Sequence, residues 1–185
     1  MTTTHLSELE LTDAIANRLL AADLRLVTAE SCTGGLIAAT LTELPGSSRW
    51  FEGAFVTYRL SAKTRMIGVS PATLETFGAV SEPTARAMAE GALAASDAEV
   101  SIAVTGVAGP DGGDLVAPVG TVWFGWALKD PLPRCVQTAR FDLAGTRDEV
   151  RSAAVRIALE GLLRLLDPPR VTSPGGLPSA PAGSR

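Results

Sequence analysis

The sequence predicts an α/β fold, a three-layer α/β/α sandwich around a mixed, mostly parallel sheet. Two observations point there. Over roughly the first hundred residues, strand-like segments alternate with segments of helical periodicity, the pattern of strand–helix–strand units. Later, two strand-like runs, Gly120 to Leu128 and Arg134 to Leu143, are joined by Lys129-Asp-Pro-Leu-Pro, a short connection of the hairpin kind. Crossover helices make the earlier strands parallel, so the sheet should be parallel except for one strand of that hairpin. A chain of 185 residues that is 46% hydrophobic can bury one substantial core.

Each element has its own signal. Ser7 with Glu10 forms a capping-box pattern, and Leu11, Ile15 and Leu19 repeat at helical spacing until Asp23. Leu24 to Ala29 reads as a strand and Gly34 to Leu44 as a helix stopped by Pro45 and Gly46. Ala54 to Tyr58 is the second strand. Ser61 and Ser70 stand as N-caps of two short helices, the second with Pro71 at its first position and Gly78 at its end. Ser81 caps a longer helix reaching Ala95. Val100 to Thr105 is β-branched and almost wholly apolar, which suits a central parallel strand covered on both faces. A glycine loop follows it. The last helix runs from Arg147 to Leu166, with Val150, Ala154, Ile157 and Leu162 on its buried side. One domain over residues 7–166 is therefore expected, followed by a Pro/Gly/Ser-rich tail, 167–185, that lacks the apolar content to fold.

Charge narrows the function classes. A net charge of −4 and a pI near 5.0 leave no basic footprint, and Arg134, Arg140, Arg147 and Arg151 are too sparse to make one, so no nucleic-acid partner is expected. No apolar run reaches membrane-spanning length, and Glu8, Glu10 and Asp13 stand where a secretory signal needs positive charge. A cytoplasmic protein with no membrane partner is the expectation. Cys32 and Cys135, the only cysteines, suggest neither a disulfide framework nor a metal knuckle.

Ligands on such sheets gather at the carboxyl ends of the parallel strands. The segments there are Glu30-Ser31-Cys32-Thr33-Gly34-Gly35, Tyr58 to Lys63, and Gly106 to Gly113. The first sets Ser31 and Cys32 between a strand and a helix N-terminus, where backbone N–H groups and the helix dipole favour an anion or a developing oxyanion. The same residues also fit a plain reading in which Ser31 or Thr33 caps the helix and the glycines allow close packing. A Ser or Cys nucleophile usually works with histidine, but the sole histidine, His5, lies in the N-terminal tail. With one histidine and two separated cysteines a zinc site is poorly supported, and no metal or cofactor is expected. The base then falls to lysine or a carboxylate. Of the two lysines, Lys129 sits beside Asp130 in the hairpin turn, a solvated position. Lys63 stands five residues after Tyr58 at the expected site edge; a buried lysine can lose its proton where an arginine cannot. A surface lysine in the first turn of a short helix is the plain alternative.

Six blocks occur in order: Glu30 to Gly35, then Pro45-Gly46-Ser47-Ser48, Tyr58 with Lys63, Gly78-Ala79-Val80-Ser81-Glu82, Thr105-Gly106-Val107-Ala108-Gly109-Pro110, and Pro118-Val119-Gly120-Thr121-Val122. Spanning about residues 7 to 166, they resemble the CinA C-terminal domain family. The resemblance implies a five-stranded mixed sheet, a homodimer, and hydrolysis of a nicotinamide nucleotide by a serine–lysine mechanism with an assisting tyrosine. It makes Ser31, Tyr58 and Lys63 the expected catalytic positions, the proton passing from Ser31 to neutral Lys63 directly or through Tyr58. No counterpart of the N-terminal nucleotide-processing domain of the longer members is expected. Substrate contacts are expected from Glu30, Cys32, Thr33 and Gly34, with the Cys32 and Thr33 N–H groups as oxyanion donors. A phosphate cradle is expected from Thr105, Gly106, Ala108 and Gly109, completed by Ser47, Ser48 and Arg147. Burial and the helix dipole should both depress Lys63, by roughly three units if it is to be neutral at pH 7. Two departures from the family bear on substrate: Leu60 stands where a polar residue is common, and Asp111 and Asp114 put negative charge in the glycine loop. A non-catalytic nucleotide-binding module, or an amidohydrolase for a different small amide, is the alternative reading.

Overall fold

A computed structural model of the chain describes residues 6–129 and 135–167. Strands β1 (Leu26–Glu30), β2 (Phe51–Val56), β3 (Val100–Gly106), β4 (Thr121–Leu128) and β5 (Cys135–Asp142) form one sheet in the order β2-β1-β3-β4-β5. β1 pairs in parallel with both β2 and β3, while β4 runs antiparallel to β3 and β5. Thus β4 alone opposes the other strands, as the hairpin argument requires. The hairpin connection at residues 130–134, His5, and the tail from 168 onward lie outside the described residues.

Among the described residues six helices flank the sheet: α1 (Glu8–Ala21), α2 (Leu36–Thr42), α3 (Leu60–Ile67), α4 (Pro71–Phe77), α5 (Glu82–Ala94) and α6 (Arg147–Leu166). On one face Leu11, Ile15 and Leu19 of α1, Ile37 and Leu41 of α2, and Leu159 and Leu162 of α6 pack over Leu26, Ile102, Val104 and Phe124. On the other, Ile67, Leu74, Met88, Ala89, Ala92 and Leu93 of α3, α4 and α5 pack over Val27, Ala29, Ala103 and Ala127. Covered on both sides, β1 and β3 need apolar residues at nearly every position, which is why they lack alternation. The second face is built from small side chains, so α5 lies close to the sheet. A Cβ on Gly125 of β4 would sit 2.7 Å from the Ala85 carbonyl oxygen.

The caps follow the sequence with two exceptions. Ser7 and Glu10 form the expected capping box, Ser81 accepts from the Thr84 N–H, and Pro71 opens α4. The N-cap of α3 is Arg59 rather than Ser61, and it makes no side-chain cap bond. α2 is shorter than expected because Gly34 and Gly35 belong to the turn before it, with φ of 63° and 99°. Left-handed backbone of that kind costs glycine little and other residues more, so the pair has a conformational reason. β2 ends at Val56, which leaves Thr57 and Tyr58 on the segment leading into α3.

Candidate active site

The turn after β1 is held from two sides. Ser31 still belongs to the sheet edge, its N–H donating to the Val104 carbonyl at 3.0 Å, and the Gly34 N–H closes the turn on the Ser31 carbonyl at 3.1 Å. The Glu30 side chain, 0% exposed, swings under α2. It accepts from the N–H groups of Gly35 (2.9 Å), Ile37 (3.1 Å) and Ala38 (2.9 Å) and from the Thr28 hydroxyl (3.2 Å). The α2 N-terminus is therefore capped by a carboxylate from the preceding strand, not by Ser31 or Thr33. Its positive end meets Glu30 and is not directed at a ligand, which corrects the expectation of a helix dipole acting on the pocket. From the opposite side Arg151 of α6 donates to the Thr33 carbonyl at 3.0 Å.

Lys63 comes from the first turn of α3 and points inward, 1% exposed. Its Nζ donates to Ser31 Oγ at 2.9 Å and to the Thr57 carbonyl at 2.6 Å. The Thr57 N–H in turn donates to the Glu30 carbonyl at 2.7 Å, so the lysine anchor and the nucleophile turn share one backbone link. Burial disfavours the ammonium and pulls the Lys63 pKa from 10.5 down to about 8, with the nearby Cys32 acting in the opposite sense. Neutral amine is therefore reached far closer to neutrality than for a free lysine. Cys32 is pushed the other way, up to about 11, chiefly by burial, so its sulfur stays a thiol. Serine, not cysteine, is in contact with the amine. The Cys32 and Thr33 N–H groups donate to no backbone carbonyl among the described residues.

A cavity of about 220 Å³ opens above this pair. Of the sequence-expected residues, Ser31, Cys32, Tyr58, Lys63, Thr105, Gly106, Ala108, Gly109 and Arg147 line it. Arg147, at the start of α6, donates to the Gly109 carbonyl at 2.8 Å and to the Tyr58 hydroxyl at 3.2 Å. It has no carboxylate partner among the described residues, so its charge faces the mouth unneutralised. The Ala108 and Gly109 N–H groups likewise have no acceptor among the described residues. Tyr58 thus frames the entrance with Arg147, while Lys63 reaches Ser31 without it.

Five expected contacts are not at the cavity wall. Glu30, Thr33 and Gly34 support the turn from behind. Ser47 and Ser48 lie in a short 3-10 turn before β2, next to Trp50, whose carbonyl accepts the Leu26 N–H at the amino end of β1. The five residues of β1 place them roughly 16 Å along the strand direction from Ser31, at the wrong end of the sheet. Conversely, Ala79, Val80, Val107 and Asp111 line the cavity and were not singled out as contacts. The Thr105 hydroxyl brings the 79–80 segment there by donating to the Ala79 carbonyl at 2.7 Å. A larger groove of about 590 Å³ lies between β2 and the end of α5, and none of the residues that line it belongs to the serine–lysine pair.

Fold and site together define an α/β/α protein with a buried serine–lysine pair at the carboxyl edge of a mixed five-stranded sheet. The chain belongs to the CinA C-terminal domain family, whose model matches residues 8–166. It is 52% identical over 136 residues to the nicotinamide-nucleotide amidohydrolase PncC of Enterobacter agglomerans, covering 74% of this chain and 81% of that protein. It is 48% identical over 158 residues to a CinA-like protein of Chlorobaculum tepidum, covering 85% of this chain but only 37% of that longer protein. Among solved structures, a competence/damage-inducible protein of Agrobacterium tumefaciens superposes with a TM-score of 0.83 at 43% identity, covering 90% of this chain and 100% of that one. Among the described residues no helix is long and apolar enough to cross a membrane.

Proposed function

We propose that the chain is a nicotinamide-nucleotide amidohydrolase that converts nicotinamide mononucleotide to nicotinate mononucleotide and ammonia, with Ser31 as nucleophile and Lys63 as base. The observation that carries this is the 2.9 Å approach of a buried, depressed lysine amine to a serine hydroxyl inside a pocket, in a chain half identical to a protein of that name. When Lys63 is neutral, its amine keeps one hydrogen on the Thr57 carbonyl and turns its lone pair to Ser31, so the hydrogen bond reverses and the hydroxyl proton can leave. Oγ attacks the carboxamide carbon, and the Cys32 and Thr33 N–H groups hold the oxyanion. The ammonium of Lys63 then gives its proton to the departing nitrogen. Water, deprotonated by the same amine, cleaves the acyl-enzyme.

Substrate phosphate is held by Arg147 and the open Ala108 and Gly109 N–H groups, with Tyr58 positioning the ring or ribose. Ser47 and Ser48 take no part in the cradle. The protein acts as a cytoplasmic homodimer; Val56, Tyr58 and Leu60, exposed around the free end of edge strand β2, support an interface there. Ammonia release from nicotinamide mononucleotide, nicotinamide riboside and free nicotinamide tests the whole reading. Turnover fastest for the mononucleotide, slower for the riboside and slowest for free nicotinamide is the expected outcome, and no release from any of the three would leave a binding module instead.

A further inference from the structure

Glu30 has a task that substrate binding does not explain. Its carboxylate is fully buried and faces away from the cavity, yet all of its acceptor capacity is used: one oxygen takes the Gly35 and Ile37 N–H groups, the other the Ala38 N–H and the Thr28 hydroxyl. A buried carboxylate is tolerated only with such a set of donors. The N-terminus of α2 leaves these N–H groups without helical partners, and its N-cap, Gly35, has no side chain to satisfy them. The main chain of Glu30 works in the other direction, since its carbonyl receives the Thr57 N–H and the Thr57 carbonyl holds Lys63 Nζ.

We propose that Glu30 is the positioning residue of the serine–lysine pair. Its side chain sets where α2 begins, and therefore the Ser31 to Gly35 turn. Its carbonyl fixes the strand end that carries the lysine anchor. Both partners are referenced to one buried residue, which is how a hydroxyl on one strand and an amine on a separate helix hold a 2.9 Å separation. The inference rests on the serine–lysine reading of the site but not on the identity of the amide that is cleaved.

The test uses Glu30→Gln in the full chain. Glutamine keeps the volume and replaces one acceptor oxygen with an NH2 group, which must oppose at least one of the N–H donors. Misplacing the nucleophile should lower kcat on the order of 100-fold. KM should stay within about threefold, because the residue does not touch substrate. The second readout is the rate at which a fluorophosphonate probe labels Ser31, which should fall in step with kcat. Thr28→Val removes a single donor to the carboxylate without changing charge or shape, and should slow labelling by about fivefold. If Glu30→Gln does not fold, Thr28→Val decides alone. Labelling at the parent rate in the folded variants overturns the proposal, and so does a raised KM with kcat intact, which would make Glu30 a substrate contact. Were the parent to release no ammonia from nicotinamide nucleotides, the substrate assignment would fail while the labelling comparison still judged Glu30.

Discussion

The turn after β1 and the loop after β3 leave adjacent parallel strands at the same edge of the sheet, yet they treat their backbone N–H groups differently. In the first, the Gly35, Ile37 and Ala38 N–H groups converge on Glu30, and those of Cys32 and Thr33, which meet no backbone carbonyl among the described residues, face the Cys32 sulfur. In the second, Val107 pairs with Thr121, while the Ala108 and Gly109 N–H groups meet no acceptor among the described residues and a guanidinium leans on the Gly109 carbonyl. On the proposed function, one loop is stiffened to hold a reacting atom and the other is left open to receive a charged group. A glycine-rich strand exit is thus not by itself an anion site. What decides is whether the protein supplies its own carboxylate to the N–H groups.

The largest expected effects break the first loop. Ser31→Ala should reduce turnover to background with the thermal midpoint nearly unchanged, and Cys32→Ala should keep much of the activity, because a thiol pushed up to about 11 is protonated at working pH. Ammonia release by the two purified variants decides it, and a dead Cys32→Ala beside an active Ser31→Ala would reverse the assignment. Lys63→Arg should be as inactive as Lys63→Ala, since arginine keeps the charge but cannot take the proton. For the parent, kcat/KM should rise with pH along a limb near 8 that belongs to the coupled site as a whole.

The same lysine has a signature in stability. Its folded pKa is depressed, so between about 8 and 10.5 the unfolded chain binds a proton that the folded chain does not, and stability rises with pH across that window. The full gain is about 3 kcal/mol. Cys32 opposes it, because its thiol titrates later in the folded state and stability falls as pH climbs from 9.0 to about 11. Denaturant titrations of Lys63→Met against the parent isolate the lysine contribution: the rise should vanish in the variant, whose stability at pH 7 should exceed that of the parent. An identical pH dependence in the two proteins would mean that Lys63 is solvated.

Much of this arrangement was readable in the sequence, and the parts that were not share a cause. Ser7 with Glu10, Ser70 with Pro71 and Gly78, and Ser81 announced their helices because each signal acts over three or four residues. In a chain with one histidine and two lysines, elimination narrows the base to lysine or a carboxylate, and the resemblance to the CinA C-terminal domain family is what singles out Ser31 and Lys63. The cap of α2 was missed because it comes from the strand before the turn, and a search for Ser, Thr, Asp or Asn at the N-cap cannot see it. Ser61 was misread as a cap because the register of α3 is consistent with turning Lys63 inward, which local propensity does not encode. Ser47 and Ser48 are expected in the cradle, yet they lie in the 3-10 turn that precedes edge strand β2, whose carboxyl end, not its amino end, reaches the site. Ala79 and Val80 arrive through a hydrogen bond from Thr105, 26 residues on in the chain, and nothing local foretells it.

Breaking the second loop should change binding and spare chemistry. Arg147→Ala should raise KM for the mononucleotide on the order of tenfold to 100-fold, with kcat largely kept and with no effect on the riboside, which has no phosphate. Equal losses on both substrates would move Arg147 from the phosphate to the entrance frame it forms with Tyr58.

Asp111 should give the smallest effect, and its sign is the informative part. It is exposed, lines the cavity, and has no hydrogen-bond or ion-pair partner among the described residues. Nicotinamide mononucleotide, the proposed substrate, carries a positive ring and a negative phosphate, so a carboxylate at the mouth is attracted by the ring and repelled by the phosphate. Arg147, the group proposed to hold the phosphate, rests on the Gly109 carbonyl two residues before Asp111, so on that proposal the acid lies nearer the phosphate than the ring. Asp111→Asn should therefore lower KM for the mononucleotide by about threefold at low ionic strength. The difference should fade as salt shortens the screening length. Michaelis curves for the mononucleotide and for uncharged free nicotinamide, each at two salt concentrations, resolve the alternatives. A higher KM for the mononucleotide, with no change for the neutral amide, would place Asp111 against the ring and make it an attractive contact.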